Sequence, residues 1–526
     1  MDIKHAKTII KNIMIGAVSA IGCILALFLS YYSFRYSYSM KLDYNQEVFE
    51  YVDSLGLHFA VILVFLLLIG AIIFGGGYEN KHGKIINFGS KKFIIALMVV
   101  MFVISIGWIF GVKNAPHNDQ GAVMDMIMEL ERGNYQVLSR YEYFGMVQFQ
   151  IGLATVFRAF FGLFNSIDYH IIQVVNACCL PVMVFFGWKD LKLLFNEKEV
   201  SGVYCLLIPF CLPLYVYSAF VYGEMISTTV GVLMVWLVLW YTKYEKMRVL
   251  LPIGFCAIVG TMTRGNYWIL IIACAITLFL YGLSRKKWEY LIVILCMVLS
   301  PLVQEKVMLS LYENKAGFEL EEGMSKELWI AMGMSDAGDV ANGWFNGYNF
   351  KTYYKYADTG EATAENATAE AKLFIRDRMR MFRNGAADWK AFYKEKVLSQ
   401  WNEPTYECFS ATERFDGEAT DIVRNIYYED LHRILEGFMN QYQLIIYIGF
   451  ALYIGYCVWN KVSFSSYLFV IYIIGGMLFS ILWEASSRYI FPYFVFMIPC
   501  AAYGWACLGK TLWGKWAIVC KKIKKD

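Results

Sequence analysis

Charge is what this sequence has least of. Asp, Glu, Lys and Arg make up 17% of its 526 residues, against roughly a quarter in ordinary globular chains. That scarcity argues against a water-soluble protein, and a hydrophobic share of 58% points the same way. The signatures of soluble enzymes are missing too: there is no Walker A loop, no GxGxxG after a strand and no HExxH. The nearest thing to a glycine-rich loop is FGGG at 74–77, at the end of an apolar run. Six scattered histidines lack metal-ligand spacing, so neither a metal nor a cofactor is expected. No internal repeat, low-complexity segment or nucleic-acid partner is indicated. Thirteen cysteines do not make a disulfide framework: most lie inside apolar runs as small, soft hydrophobes, and the one large polar segment has only Cys408.

What the chain does have is apolar runs near the length that crosses about 30 Å of hydrocarbon at 1.5 Å per residue. Candidate spans fall at 13–33, 57–77, 93–112, 169–188, 202–220, 225–241, 249–263, 265–283, 288–303, 443–459, 464–484 and 489–508. The fold class is therefore an all-α polytopic membrane protein with about twelve transmembrane helices. The first run is long for a signal peptide and has no small-residue cleavage site before YYSFRYSYS, so it reads as a retained helix.

Lys and Arg in short loops set the orientation. A basic N-terminus (Lys4, Lys7, Lys11), the loops at Lys81–Lys92, Lys189–Lys198, Lys243–Arg248 and Arg285–Lys287, Lys461 and the KKIKKD tail all fall inside on one condition. The run 144–164, with Gln148, Gln150 and Arg158, must not cross; it is expected as an amphipathic helix on the outer surface. Both termini are then cytoplasmic, in a plasma-membrane protein. Residues 1–303 form a transmembrane core with an outer loop at 113–168. Residues 304–442 form a small, mostly helical extracytoplasmic domain, and 443–526 the last spans and tail. The outer domain is acidic, with its arginines gathered in AEAKLFIRDRMRMFRNG (369–385). That stretch reads as a solvated basic helix face or as a surface for lipid headgroups or a polyanionic acceptor.

Three groups of outer residues are candidates for chemistry. Asp119 follows a span directly, in FGVKNAPHNDQGAVMDM, with Lys113, His117 and Gln120 beside it. It opens a loop of over 50 residues, and long loops are usually functional; the bland alternative is a helix cap near Asn118. Farther along the loop, RYEYFGMVQFQIG offers Tyr141 and Gln148 as substrate contacts, or as members of an interfacial belt. Glu224, Arg264, Glu484 and Arg488 sit at span ends. Charges there cost on the order of 2.5–3.5 kcal/mol on insertion scales and usually have partners or a function. Glu484 and Arg488, four residues apart, could simply pair with each other.

Four features together resemble the GT-C superfamily of glycosyltransferases, near the bacterial protein O-mannosyltransferases and aminoarabinose transferases. They are the acid after an early helix (Asp119 in PHNDQG), an amphipathic helix after it (143–164), a charged helix–turn–helix (TMTRGNYW) and a late Arg488–Tyr489 before the last span. The chain departs from that family in carrying two extra leading helices and a Gln, not a second acid, after Asp119. The resemblance implies a GT-C-like core and an enzyme that moves a sugar from a polyprenyl-phosphate donor. Among membrane lipids, it would pass the sugar to a glycan, lipid or protein acceptor in cell-envelope synthesis. Asp119 would be the base; Arg264, Arg488, Lys113 and His117 would hold the phosphate. Gln120, Tyr141, Gln148, Glu224, Glu484 and Tyr489 would contact substrate. A transporter or flippase of lipid-linked sugars, or a polysaccharide polymerase or ligase, are the competing readings.

Overall fold

The computed structural model describes residues 3–40, 48–82, 88–336, 338 and 340–523. Lys84 of the first basic loop and the last three residues of the tail lie outside them. Helix α1 (Ile3–Arg35) leads into a two-stranded antiparallel hairpin, β1 (Tyr36–Met40) and β2 (Val48–Val52). Everything after it is helical: α2 (Leu55–His82), α3 (Lys91–Val112), α4 (Asn118–Glu131), α5 (Tyr143–Met146), α6 (Gln150–Phe164), α7 (Tyr169–Leu194), α8 (Lys198–Leu207), α9 (Leu212–Val216), α10 (Glu224–Tyr244), α11 (Leu250–Thr263), α12 (Trp268–Arg285) and α13 (Glu289–Ala316). A polar cap follows, with α14 (Lys326–Met332), α15 (Tyr348–Lys355), α16 (Thr363–Asn384), α17 (Trp389–Trp401) and α18 (Asp421–Tyr428). The chain then returns through α19 (Asp430–Trp459), α20 (Leu468–Leu482) and α21 (Phe491–Ile523).

The nearly all-helical class holds. Among the described residues, ten helices are long and apolar enough to cross a membrane, and up to twelve segments are if two bent pairs are each counted as one span. The expected span 202–220 is one such pair, broken by a 57° bend between α8 and α9, where Pro209 and Pro213 interrupt the run. The expected span 249–263 is a helix of only 14 residues, about 21 Å at 1.5 Å per residue.

The run 144–164 turns through 119° between Tyr135–Met146 and Gln150–Phe164, and α6 is about 22 Å long by the same rise. It does not lie with a polar face to water. Gln150 is buried and Arg158 is bonded to Glu131 (2.5 Å) and Tyr312 (3.0 Å), while the exposed residues are Ala159, Gly162, Leu163 and Phe164. The polar residues that made the run look amphipathic face protein partners.

The most enclosed spans are α10 and α21; α2, α3 and α13 are the most exposed. Helix α21 packs on α19, which in turn packs on α1. A Cβ on Gly504 would collide with the carbonyl of Gly449, so the missing side chains let the two backbones meet, as small residues do between apolar helices. Boundaries at 304 and 442 fall inside α13 and α19, which continue as helices past their apolar stretches. None of the described cysteines is in a disulfide.

Candidate functional site

Helix ends converge at one end of the bundle. Helix α3 stops at Lys113, whose left-handed conformation (φ 58°) closes the last turn through its N–H on the Ile109 carbonyl. The exit is stitched to the cap: Ala115 N–H donates to the Arg414 carbonyl and Asp416 N–H to that of Lys113, each at 2.8 Å. Asp119 then falls in the first turn of α4. Beside it, Gly223 precedes α10 at a point where any Cβ would strike the Thr263 carbonyl. That glycine brings the N-terminus of α10, and with it Glu224, against the α11–α12 turn that carries Arg264. The α20–α21 turn adds Glu484, Arg488 and Tyr489.

Four of the charged residues flagged at span ends or in the loop meet here. Glu224 is 1% exposed, and its Oε1 lies 3.2 Å from Arg264 Nη1 and 3.5 Å from Arg488 Nε. Arg488 Nη2 is in turn 4.0 Å from Asp119 Oδ2. Isolated charges cannot be buried cheaply, and each here has an opposite neighbour. Glu224 also opens a helix, where the macrodipole favours an anion. Aromatic faces complete the seat: both guanidinium carbons lie 5.5 Å from the Tyr222 ring centre, and the Tyr489 ring stands 5.2 Å from Arg264 and 5.6 Å from Arg488. Such faces favour cations. Burial opposes the Arg488 charge, but Glu224 above all outweighs it and holds the guanidinium protonated.

Asp119 differs from its neighbours in being half exposed, at 50%. The cap position of α4 belongs to His117, with no side-chain capping bond. The bland alternative for Asp119, a capping carboxylate, is therefore not realised. Nor is the local Glu484–Arg488 pair: among the described residues no ion pair joins them, because the turn between them is extended and Arg488 faces Glu224 and Asp119. Burial pushes the Glu484 carboxyl up to about 8, with Arg488 pulling the other way and Asp119 and Glu407 adding to the rise. At neutral pH it is largely a neutral hydrogen-bond donor.

Behind the cluster stands a brace that reading the sequence did not single out. Glu403 and Glu407 are buried, and Glu407 Oε1 accepts from Ser486 Oγ (2.6 Å) and the Arg488 N–H (3.0 Å). Glu403 accepts from Ser487 Oγ (2.7 Å) and from the N–H groups of Thr405 (2.8 Å) and Glu407 (2.9 Å). Burial raises the Glu403 carboxyl to about 7 against those bonds. Tyr406 and Glu407 both adopt positive φ (52° and 58°), a conformation costly for residues with side chains. Lys396 reaches from α17 to the carbonyls of Gly333, Ile481 (3.0 Å) and Trp483 (2.7 Å). Burial draws its pKa down to about 7, but three acceptors suit the three N–H bonds of an ammonium.

The remaining sequence candidates are placed differently. Gln120 is a strut, accepting from Val221 N–H and donating to the Ala411 carbonyl, both at 2.8 Å. His117 is buried, which lowers its pKa and keeps the imidazole neutral. Lys113 is exposed, with its backbone joined to the cap and no ion pair among the described residues. Tyr141 and Gln148 do not join the cluster. The Tyr141 hydroxyl donates to the Ala357 carbonyl (2.6 Å), and Gln148 donates to the Glu321 carbonyl, so both tie the loop to the polar cap. Within that cap, Arg378 is not part of the basic face, being buried against Asp336 at 2.7 Å.

No known protein family, curated protein or solved structure matches the chain. The protein is a nearly all-helical chain with ten to twelve segments able to cross a membrane among the described residues, and with a charged, aromatic-lined cluster at one end of the bundle. Among the described residues no group of three or more His, Cys, Asp or Glu could hold a metal ion.

Proposed function

We propose that the protein is a membrane-embedded, inverting glycosyltransferase with a GT-C-like core, moving a sugar from a polyprenyl-phosphate donor to an acceptor hydroxyl on the outer face of the plasma membrane. What supports this reading is one observation: a half-exposed carboxylate, Asp119, lies 4.0 Å from a partly buried, ring-seated arginine, Arg488, that is itself paired to Glu224. A base that water and substrate can reach thus stands beside a fixed cation.

In this reading the acceptor oxygen attacks the anomeric carbon while its proton passes to Asp119, as in inverting glycosidases. The bond from that carbon to the phosphate oxygen breaks, and the lipid phosphate leaves with the electron pair. When Asp119 takes the proton the cluster becomes one unit more positive, at the moment the departing phosphate gains a negative charge. Nothing has to move for that compensation. Glu484, largely neutral, adds no opposing charge and can donate to a sugar or phosphate oxygen. The polar cap holds the Arg488 turn from behind.

The test is sugar transfer from a radiolabelled polyprenyl-phosphate hexose in membranes holding wild type or Asp119→Asn at equal expression. Loss of transfer with donor binding retained is expected. Undiminished transfer by the variant would remove Asp119 as the base.

A further inference from the structure

A concavity that includes no residue of the charged cluster borders the 402–412 segment at Pro404. It is a cleft of about 640 Å³ between the hairpin β1–β2 and the facing α18 and start of α19, within the roughly 300–1,000 Å³ usual for small-ligand sites. Its inner wall includes Pro404, which is preceded by Glu403 of the brace and by Asn402. Asn402 is joined to the hairpin through its carbonyl to Tyr38 N–H (3.1 Å) and its amide to the Tyr36 carbonyl (2.6 Å). Tyr427, also lining the cleft, bonds through its hydroxyl to Asn114 (2.9 Å) and Thr412 (2.8 Å). Cleft and charged cluster are therefore built on shared pieces of chain.

The lining has a definite chemistry. Asn440 is 5% exposed; its amide N–H donates to Asp53 at 2.8 Å, and its Oδ1 has no partner. The second oxygen of Asp53 has no hydrogen bond either, with only His58 Nε2 at 3.8 Å. Both oxygens are shielded from solvent, so the exposed groups of the lining are what a ligand meets. Tyr51 and Tyr428, each about half exposed, offer flat apolar faces on the lining. Asp53, Glu429 and Glu436 disfavour an anion. Arg433, on the same wall, is exposed and paired with Asp430 at 3.3 Å, so acids outnumber bases in the lining. Ring faces beside carboxylate acceptors suit a polyhydroxylated molecule whose ring edges are donors and whose faces are apolar.

We propose that this cleft binds a neutral oligosaccharide. This binding does not rest on the transferase reading above. The probes are maltotriose, mannotriose and chitotriose, with trigalacturonate and trilysine as charged counterparts. They are presented to the full chain in phosphatidylcholine nanodiscs and read by saturation-transfer NMR. At least one neutral trisaccharide is expected to bind. Tyr428→Ala, at an exposed position, and Glu436→Gln should each weaken it by about tenfold, and Asp119→Asn should leave it unchanged. Binding by none of the neutral sugars, tighter binding of either charged probe, or indifference to both cleft substitutions would overturn the proposal. If instead the sugar binds as expected while Asp119→Asn transfers normally, the transferase reading fails and the cleft stands.

Discussion

Asp119 and Glu407 are both carboxylates beside Arg488, one in front of its guanidinium and one behind its backbone. Glu407 is buried, and a single oxygen of it already accepts from Ser486, Ser487 and the Arg488 N–H. Asp119 is half exposed and meets Arg488 only at 4.0 Å. The back is thus saturated and the front is open. A carboxylate whose lone pairs are filled by its own protein fixes geometry; one with capacity left can take a proton or a ligand. The contrast assigns different work to chemically identical groups, and substitutions can separate the two.

The largest effect belongs to the front. If Asp119 is the base proposed above, Asp119→Asn keeps the shape and removes it, so transfer should fall by about 10³-fold with little change in Tm; a matching loss of Tm would mean Asp119 is structural instead. Arg488→Lys keeps the charge but loses the planar fork that spans Glu224 and Asp119. It should lower transfer by about 10²-fold, measurable in the same membranes. Glu407→Ala tests the back. Ser486 and the Arg488 N–H would lose their acceptor, at about 1–3 kcal/mol, so thermal unfolding should shift first and activity only as the turn loosens.

A smaller effect is expected from pH. Burial raises the Glu484 carboxyl from 4.5 to about 8 and that of Glu403 from 4.5 to about 7. The folded state therefore binds more protons than the unfolded state between those limits, and stability falls as pH rises through that window. Tm measured from pH 4.5 to 8 should decline less steeply in Glu484→Gln than in wild type; parallel curves would show that Glu484 ionises normally. Smallest of all, Tyr141→Phe removes the hydroxyl bond to Ala357 at a partly exposed site. A loss below about 1 kcal/mol with transfer intact would confirm that the rear of the loop is a strap and not a substrate wall.

The readable part of the site was its set of charges at span ends. Glu224, Arg264 and Arg488 stand out because the runs around them are apolar, and Asp119 because a span stops just before it. Glu403, Glu407 and Lys396 carried no such contrast, since a polar segment full of acids and lysines hides the few that turn inward. Tyr222, the ring under both arginines, was lost among 38 tyrosines. Tyr141 and Gln148 share the loop of Asp119 but not its surroundings, because their side chains bond to the Ala357 and Glu321 carbonyls of the cap. Nearness in sequence was a poor guide there.

That the chain is a bundle of apolar helices, and which charges lie where those helices end, can be read from the residues in order. Both follow from a cost counted residue by residue, the transfer of each side chain into hydrocarbon. That Glu224, Arg264, Arg488 and Asp119 meet, that Arg488 turns from Glu484 to partners far away in sequence, and that one face of the cluster stays open are outcomes of the fold. Those outcomes depend on helices closing at a glycine contact and on buried charges finding opposite neighbours across the fold, and neither is a property of any local stretch.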